Sequence, residues 1–338
     1  MRGFRFPDGV EYLGDDGAGQ VSFTVSIPID EDGFFGRDCP ACAQHFRMAH
    51  EDYEALPDDV QLWCVYCGHA DDHSEFITAQ QQERVMRAAG DYAQQLVGNM
   101  LDRTFGNMAR RTRSSGVKIT YRSRPFYPQP LPGIEEDRLV RERSCGTCAI
   151  RYAVFGEHRY CPVCGLLPPL IAALDSLDAE RKRLQVLTDL PDDVQGPLRE
   201  SGVLHRTYVD TIENIVGTVE VVADRVFRGV VPEPDASAAL KGKGKIFQRL
   251  DDLADLYMTH VHINLRHELG PQWNDLLRAW ATRHVFTHCD GVVDEKYLAA
   301  VPGTGLRVGQ RVQIREADAQ AALNDAELLC RTIARARP

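Results

Sequence analysis

Nowhere does the chain approach the roughly 18 consecutive apolar residues of a membrane-spanning helix, so no membrane partner is expected. The opening Met1-Arg2-Gly3-Phe4-Arg5-Phe6-Pro7 also lacks the apolar segment of a secretory signal. Positive charge is in short supply: 39 Lys and Arg face 49 Asp and Glu, and a net charge of −10 gives no bulk attraction for a polyanion. With 18 prolines and 27 glycines in 338 residues, a collagen-like fibre is excluded. What remains, at 43% hydrophobic and 26% charged, is a soluble globular chain of two or three domains at roughly 100 to 200 residues each. Its expected compartment is the cytoplasm. Thiols stay reduced there, so ten cysteines need a use other than disulfides.

Eight of the ten form four C-x2-C pairs: Cys39/Cys42, Cys64/Cys67, Cys145/Cys148 and Cys161/Cys164. Two residues between the sulfurs let one tight turn aim both thiolates at a single ion, and two such turns complete a tetrahedral set of four sulfurs suited to zinc. Gaps of 21 residues (Cys42 to Cys64) and 12 (Cys148 to Cys161), against 77 from Cys67 to Cys145, favour sequential pairing into two sites. Gly68 and Gly165 follow the second cysteine of two pairs, where a left-handed residue turns amides toward the sulfurs. The alternation Val21, Phe23, Val25, Ile27, Ile29 predicts a strand leading into the first site, and Val117, Ile119, Tyr121 another before the second. These segments resemble zinc ribbons, with two structural Zn²⁺ per chain and no catalytic metal. Four sulfurs leave no open position for chemistry. A redox dithiol explains one pair but not four together.

Charge is unevenly spread. From Asp8 to Glu75, sixteen Asp and Glu face only Arg37 and Arg47. From Leu101 to Pro130 the balance reverses: Arg103, Arg110, Arg111, Arg113, Lys118, Arg122 and Arg124 face only Asp102, with Phe105, Tyr121, Phe126 and Tyr127 interleaved. Arg110, Arg111, Arg113, Lys118, Arg122 and Arg124 are the candidate RNA-binding residues, cations for phosphates beside rings for unpaired bases.

Thr78-Ala79-Gln80-Gln81 reads as a capping box opening a long helix that runs to about Arg111. The predicted organisation is a zinc ribbon over 1–75, a connecting helix over 76–116, a second ribbon over 117–168, a helical linker over 169–199 and a helical bundle over 200–338. The linker boundary is drawn at Leu190-Pro191-Asp192-Asp193 and Gly196-Pro197. Leu204, Tyr208, Ile212, Ile215, Val219, Val222 and Val226 then step at helical spacing, followed by helices over about 246–266, 272–288 and 317–336 and a short strand over 308–314. The fold class is mainly α with small β.

Chemistry concentrates in Trp280-Ala281-Thr282-Arg283-His284-Val285-Phe286-Thr287-His288-Cys289-Asp290-Gly291, near the end of a predicted helix. His284 and His288 share a face one turn apart, and the long Arg283 side chain can reach the same phosphate. Arg-His-x-x-x-His late in a helical bundle resembles the R-x4–6-H motif of the HEPN superfamily, over about residues 200–338. The likeness takes in Ile246-Phe247-Gln248-Arg249-Leu250 and Asp290-Gly291-Val292-Val293-Asp294-Glu295-Lys296-Tyr297-Leu298. Cys289 departs from it, standing where relatives often have Asn.

The resemblance implies a metal-independent endoribonuclease with Arg283, His284 and His288 as catalytic residues. An imidazole would deprotonate a ribose 2′-hydroxyl, another would protonate the leaving 5′-oxygen, and arginine would stabilise the phosphorane. It further implies RNA as partner, a homodimer, an inhibitory or regulatory protein partner, and a role as a toxin or phage-defence effector. Two other readings compete. A metallohydrolase would use His260, His262, His267, His284 and His288, but Val285 stands where H-E-x-x-H needs Glu. A non-catalytic zinc-ribbon nucleic-acid-binding or adaptor protein would keep the bundle for dimerisation only.

Overall fold

A computed structural model describes residues 4–15, 21–111, 122, 126–136 and 141–336. Among the described residues about 53% are helical and 13% lie in strands. The chain divides into an N-terminal unit (Met1–Phe155 with Tyr160–Gly165) and a C-terminal unit (Gly156–Arg159 with Leu166–Pro338).

In the N-terminal unit, β1 (Val10–Asp15) and β2 (Val21–Val25) form an antiparallel hairpin. The expected strand stops at Val25: Ile27 and Ile29 fall outside it, separated by Pro28, which has no amide hydrogen for a ladder. The other predicted strand, at 117–121, lies outside the described residues. β3 (Phe34–Asp38) pairs with β4 (His45–Ala49), and α1 (His50–Glu54) follows. β5 (Gln61–Trp63) and β6 (Ala70–Asp72) make a second hairpin.

Next comes α2 (Ala79–Arg111), opened by the expected capping box. The Gln81 amide donates to Thr78 Oγ1 at 3.3 Å, and the Thr78 amide donates to Gln81 Oε1 at 3.4 Å. Its packing is inverted relative to an ordinary surface helix, because the buried face is mostly polar: Gln81, Arg84, Asp91 and Gln95 around Ala88. Those side chains bond main chain. Arg84 Nε donates to the Ser26 carbonyl at 2.8 Å and Nη1 to that of Pro132 at 2.6 Å, while Gln95 Oε1 accepts from the Arg5 amide at 2.7 Å and its Nε2 donates to the Arg5 carbonyl at 2.6 Å.

β7 (Arg141–Ser144) and β8 (Arg151–Val154) form a third hairpin, and β9 (Tyr160–Cys161) with β10 (Gly165–Leu166) a fourth. The predicted ribbons are therefore not separate bodies. Arg47 pairs with Ala153 and Met48 with Tyr152, giving one antiparallel sheet of order β3-β4-β8-β7. Phe46, Met48, Leu62, Phe76 and Tyr152 are buried in this unit.

The C-terminal unit is a helical bundle. α3 (Pro169–Thr188) is not a linker: it buries Ala173, Leu177 and Leu184 in the same core as α5 (Val203–Val230). The Pro191 and Pro197 region, read from sequence as a boundary, is a short helix α4 (Asp192–Glu200) between them. Early in α3, Asp175 pairs with His158 at 3.0 Å, both nearly sealed from solvent. Buried Leu204, Ile212, Ile215, Val219 and Val222 mark the stripe of α5 that the periodicity had placed.

α6 (Asp235–Leu240) leads to α7 (Leu250–His260), where the expected continuous helix ends. His262 takes a left-handed φ of 61°, and Asn264 caps a separate α8 (Leu265–Leu269) by accepting from the His267 amide at 3.1 Å. α9 (Gln272–Cys289), α10 (Glu295–Ala300) and α11 (Glu316–Ile333) complete the bundle. In place of the expected strand at 308–314 there is one isolated bridge, Val292 to Arg311. Tyr257 is fully buried and donates from its hydroxyl to the Ala223 carbonyl at 2.7 Å.

Candidate metal centres and an exposed arginine-histidine cluster

Each C-x2-C pair sits at the tip of a hairpin: Cys39 and Cys42 between β3 and β4, Cys64 and Cys67 between β5 and β6, Cys145 and Cys148 between β7 and β8, and Cys161 and Cys164 on β9-β10. The hairpins bring the sulfurs together in the sequential pairing that the gaps favour. Cys39–Cys67 and Cys42–Cys64 Sγ atoms stand 3.7 and 3.6 Å apart, and Cys145–Cys164 and Cys148–Cys161 3.9 and 3.7 Å. A tetrahedral ion with Zn–S arms of about 2.3 Å requires sulfurs about 3.8 Å apart. Both sets could hold a metal ion of that size.

The backbone supports the sulfurs. Amides of Ala41, Thr147 and Val163 approach the Sγ atoms of Cys39, Cys145 and Cys161 at 3.4 Å. Burial pushes the Cys64 and Cys161 thiols well up and Cys164 up to about 12, so these sulfurs need a cation to enter as thiolates. Against its own burial, Cys145 is held down at about 7 by the amides of Cys148 and Thr147.

All four knuckles share one feature of which sequence reading found half. The residue after the second cysteine is left-handed every time: Gly68 (φ 75°) and Gly165 (φ 75°), but also Ala43 (φ 56°) and Ala149 (φ 62°). Alanine gives no sequence signal for that conformation. The two metal sets are also joined directly: the Trp63 amide donates to the Pro162 carbonyl at 2.8 Å, the Tyr160 amide donates to the Val65 carbonyl at 3.1 Å, and the Trp63 and Tyr160 rings stack.

α9 presents the other candidate site. His284 and His288 are exposed one turn apart, with ring centroids 4.9 Å from each other. Arg283 is half-buried; its Nε is shielded from solvent without a hydrogen-bond partner, and among the described residues it has no ion pair. The His284 imidazole lies below the usual histidine range, first through burial and then through the charges of His288, Lys296 and Arg283, with Asp294 opposing. It is therefore the neutral, proton-accepting form at neutral pH.

The helix stops beside the cluster because Asp290 and Gly291 are left-handed. A Cβ at Gly291 would lie 2.7 Å from the Phe286 ring. Arg311 fixes this end, donating from Nε to the Asp290 carbonyl at 3.0 Å with its guanidinium over Phe286. Behind, His205 of α5 faces Phe286 at 5.6 Å, its Nε2 buried and unpartnered. Arg311 and His205 escaped the sequence reading, since neither lies near the motif in the chain.

Among the described residues, the two four-cysteine groups are the only sets of three or more Cys, His, Asp or Glu whose ligand atoms gather within 4.8 Å. Of the histidines a metallohydrolase would use, His260 instead packs edge-on against Phe227. Cys330 is buried in the core, which pushes its thiol up to about 12. Among the candidate RNA-binding residues, Arg110 and Arg111 occupy the last turn of α2 and Arg122 is exposed, while Arg113, Lys118 and Arg124 lie outside the described residues. Among the described residues no helix is long and apolar enough to cross a membrane.

The chain matches no protein-family model, no curated protein and no solved structure.

Proposed function

We propose that this protein is a metal-independent endoribonuclease of HEPN type, whose α9 carries the chemistry and whose two four-cysteine sets hold structural zinc. The observation behind this reading is the exposed pair His284 and His288, 4.9 Å apart, beside an Arg283 with no counter-anion among the described residues. Around them, cations are paired: Arg206 bonds Asp210 at 2.8 Å, and Arg311 bonds Asp290 at 3.3 Å. A half-buried guanidinium whose Nε is shielded, with no carboxylate partner among the described residues, is suited to take a phosphate.

In the proposed reaction, neutral His284 takes the proton of a ribose 2′-hydroxyl, whose oxygen attacks the adjacent phosphorus. His288 donates a proton to the departing 5′-oxygen, leaving a 2′,3′-cyclic phosphate and a free 5′-hydroxyl. Arg283 stabilises the extra charge on the phosphorane oxygens. DNA offers no 2′-hydroxyl and is spared. Each four-cysteine set, once loaded, holds two hairpins together and supplies no open coordination position.

The test is digestion of single-stranded RNA without added divalent metal, comparing the wild type with His288→Ala and Arg283→Ala. Cleavage lowered about 100-fold or more by each substitution supports the reading. Equal cleavage by all three removes it. RNA binding without cleavage by any of them leaves the non-catalytic zinc-ribbon binding or adaptor protein instead.

A further inference from the structure

The face of α2 opposite its buried polar side carries Met86, Ala93, Val97, Met100, Leu101 and Met108, all exposed, with Met86 at 64% and Met100 at 60%. The inward side is already satisfied by the bonds of Arg84 and Gln95 to main chain, so rotating the helix to hide its apolar side would orphan buried polar groups. Met86, Gly90, Ala93, Val97, Met100 and Thr104 alternate four and three residues apart, the spacing of a helix-on-helix seam. From Leu96 to Met108 the helix has no fully buried side chain, and Gly98 and Gly106 weaken it further. A stretch of that length and composition is marginal by itself in water.

We infer that α2 is a dimerisation element, pairing antiparallel with α2 of a second copy of this chain. At roughly 100 Å² for each half-exposed apolar side chain, the stripe supplies on the order of 600 Å² per chain, close to the roughly 800 Å² per partner of an ordinary specific interface. Charge selects the direction. Arg103, Arg110 and Arg111 against Asp102 make the C-terminal half positive, whereas Glu83, Arg84, Arg87 and Asp91 leave the N-terminal half neutral. Parallel pairing would set like charges side by side; antiparallel pairing separates them and opposes the helix dipoles. A two-fold axis at Val97 sets Met86 opposite Met108, Ala93 opposite Leu101, and Glu83 opposite Arg111. Met86, Leu101 and Met108 then each meet an apolar or small partner.

Sedimentation of the 338-residue, zinc-loaded protein at tens of micromolar should give a particle of twice the chain mass. Val97→Glu combined with Met100→Glu should raise the dimer dissociation constant about 100-fold or more, with zinc content unchanged. Because that variant places charges on the helix itself, a second pair checks the register. Glu83→Arg and Arg111→Glu should each weaken the dimer about tenfold, and together restore it to within about threefold, since the symmetric pair occurs twice. A monomeric wild type, a dimer indifferent to Val97→Glu/Met100→Glu, or charge reversals that fail to compensate would each overturn the inference. Val97→Glu/Met100→Glu touches neither α9 nor the candidate RNA-binding residues, so RNA cleavage by that variant reports separately on the ribonuclease reading.

Discussion

The Trp63 amide donates to the Pro162 carbonyl at 2.8 Å, which bonds a knuckle of one four-cysteine set to a knuckle of the other. The other knuckle of each set, Cys39/Cys42 between β3 and β4 and Cys145/Cys148 between β7 and β8, sits on the sheet closed by Arg47–Ala153 and Met48–Tyr152 pairing, so the two centres share main-chain hydrogen bonds at each side. Sites that share a backbone lattice are not energetically independent.

Removing one ligand should therefore be felt at both. Cys161→Ser is expected to empty the second site and to weaken zinc affinity at the first by about tenfold, although Cys39, Cys42, Cys64 and Cys67 are untouched. Competition with a chromophoric chelator measures both steps. A first site of unchanged affinity would show that the centres are merely neighbours.

The left-handed knuckle residues give opposite signs to superficially similar changes. Gly68→Ala adds a Cβ 2.4 Å from the Tyr160 ring at φ 75°, and should cost about 2 kcal/mol or more of urea stability in the loaded protein. Ala149→Gly removes a left-handed alanine worth about 1–2 kcal/mol of strain, offset by about 0.4–1 kcal/mol of added unfolded-chain entropy. It should leave stability equal or slightly raised, with the two midpoints moving in different directions.

His284 provides a titration. Its folded pKa is depressed, so the neutral base form is complete at lower pH than for an ordinary histidine, and is lost only as pH falls below about 6.5. By linkage the same depression makes protonation costly in the folded state, which weakens folding slightly as pH falls through that window. His288→Ala deletes one of the causes and should move the His284 imidazole back up toward its usual value. Proton NMR of the ring C–H signals follows this directly; no upward movement would mean that the two rings are not electrostatically coupled.

The metal-ligand sets were legible because chelation depends on spacing within a turn, and spacing is written in the chain. His284 and His288 were legible for the same reason, as i and i+4 on one helix. Their surroundings were not: His205 and Arg311 reach Phe286 from elsewhere in the sequence, and only packing reveals that Arg283 Nε is shielded. The fusion of the ribbons into one sheet was equally hidden, since the residues of β4, buried on both faces, do not say which distant strand, here β8, lies alongside. Pro191 and Pro197 misdirected the domain boundary, because proline punctuates a connection between two packed helices as readily as one between domains. α3 exposed the difference by burying Leu177 and Leu184 in the bundle core.

The most direct measurement is the identity of the ends left on a short RNA that carries a single ribose in an otherwise 2′-deoxy strand, digested without added divalent metal. Cleavage only on the 3′ side of that ribose, leaving a 2′,3′-cyclic phosphate and a 5′-hydroxyl and lowered about 100-fold or more by Arg283→Ala, is the predicted result. Cuts at 2′-deoxy positions, 5′-phosphate ends, or products unchanged by Arg283→Ala and His288→Ala would contradict the assignment of catalysis to the exposed cluster on α9.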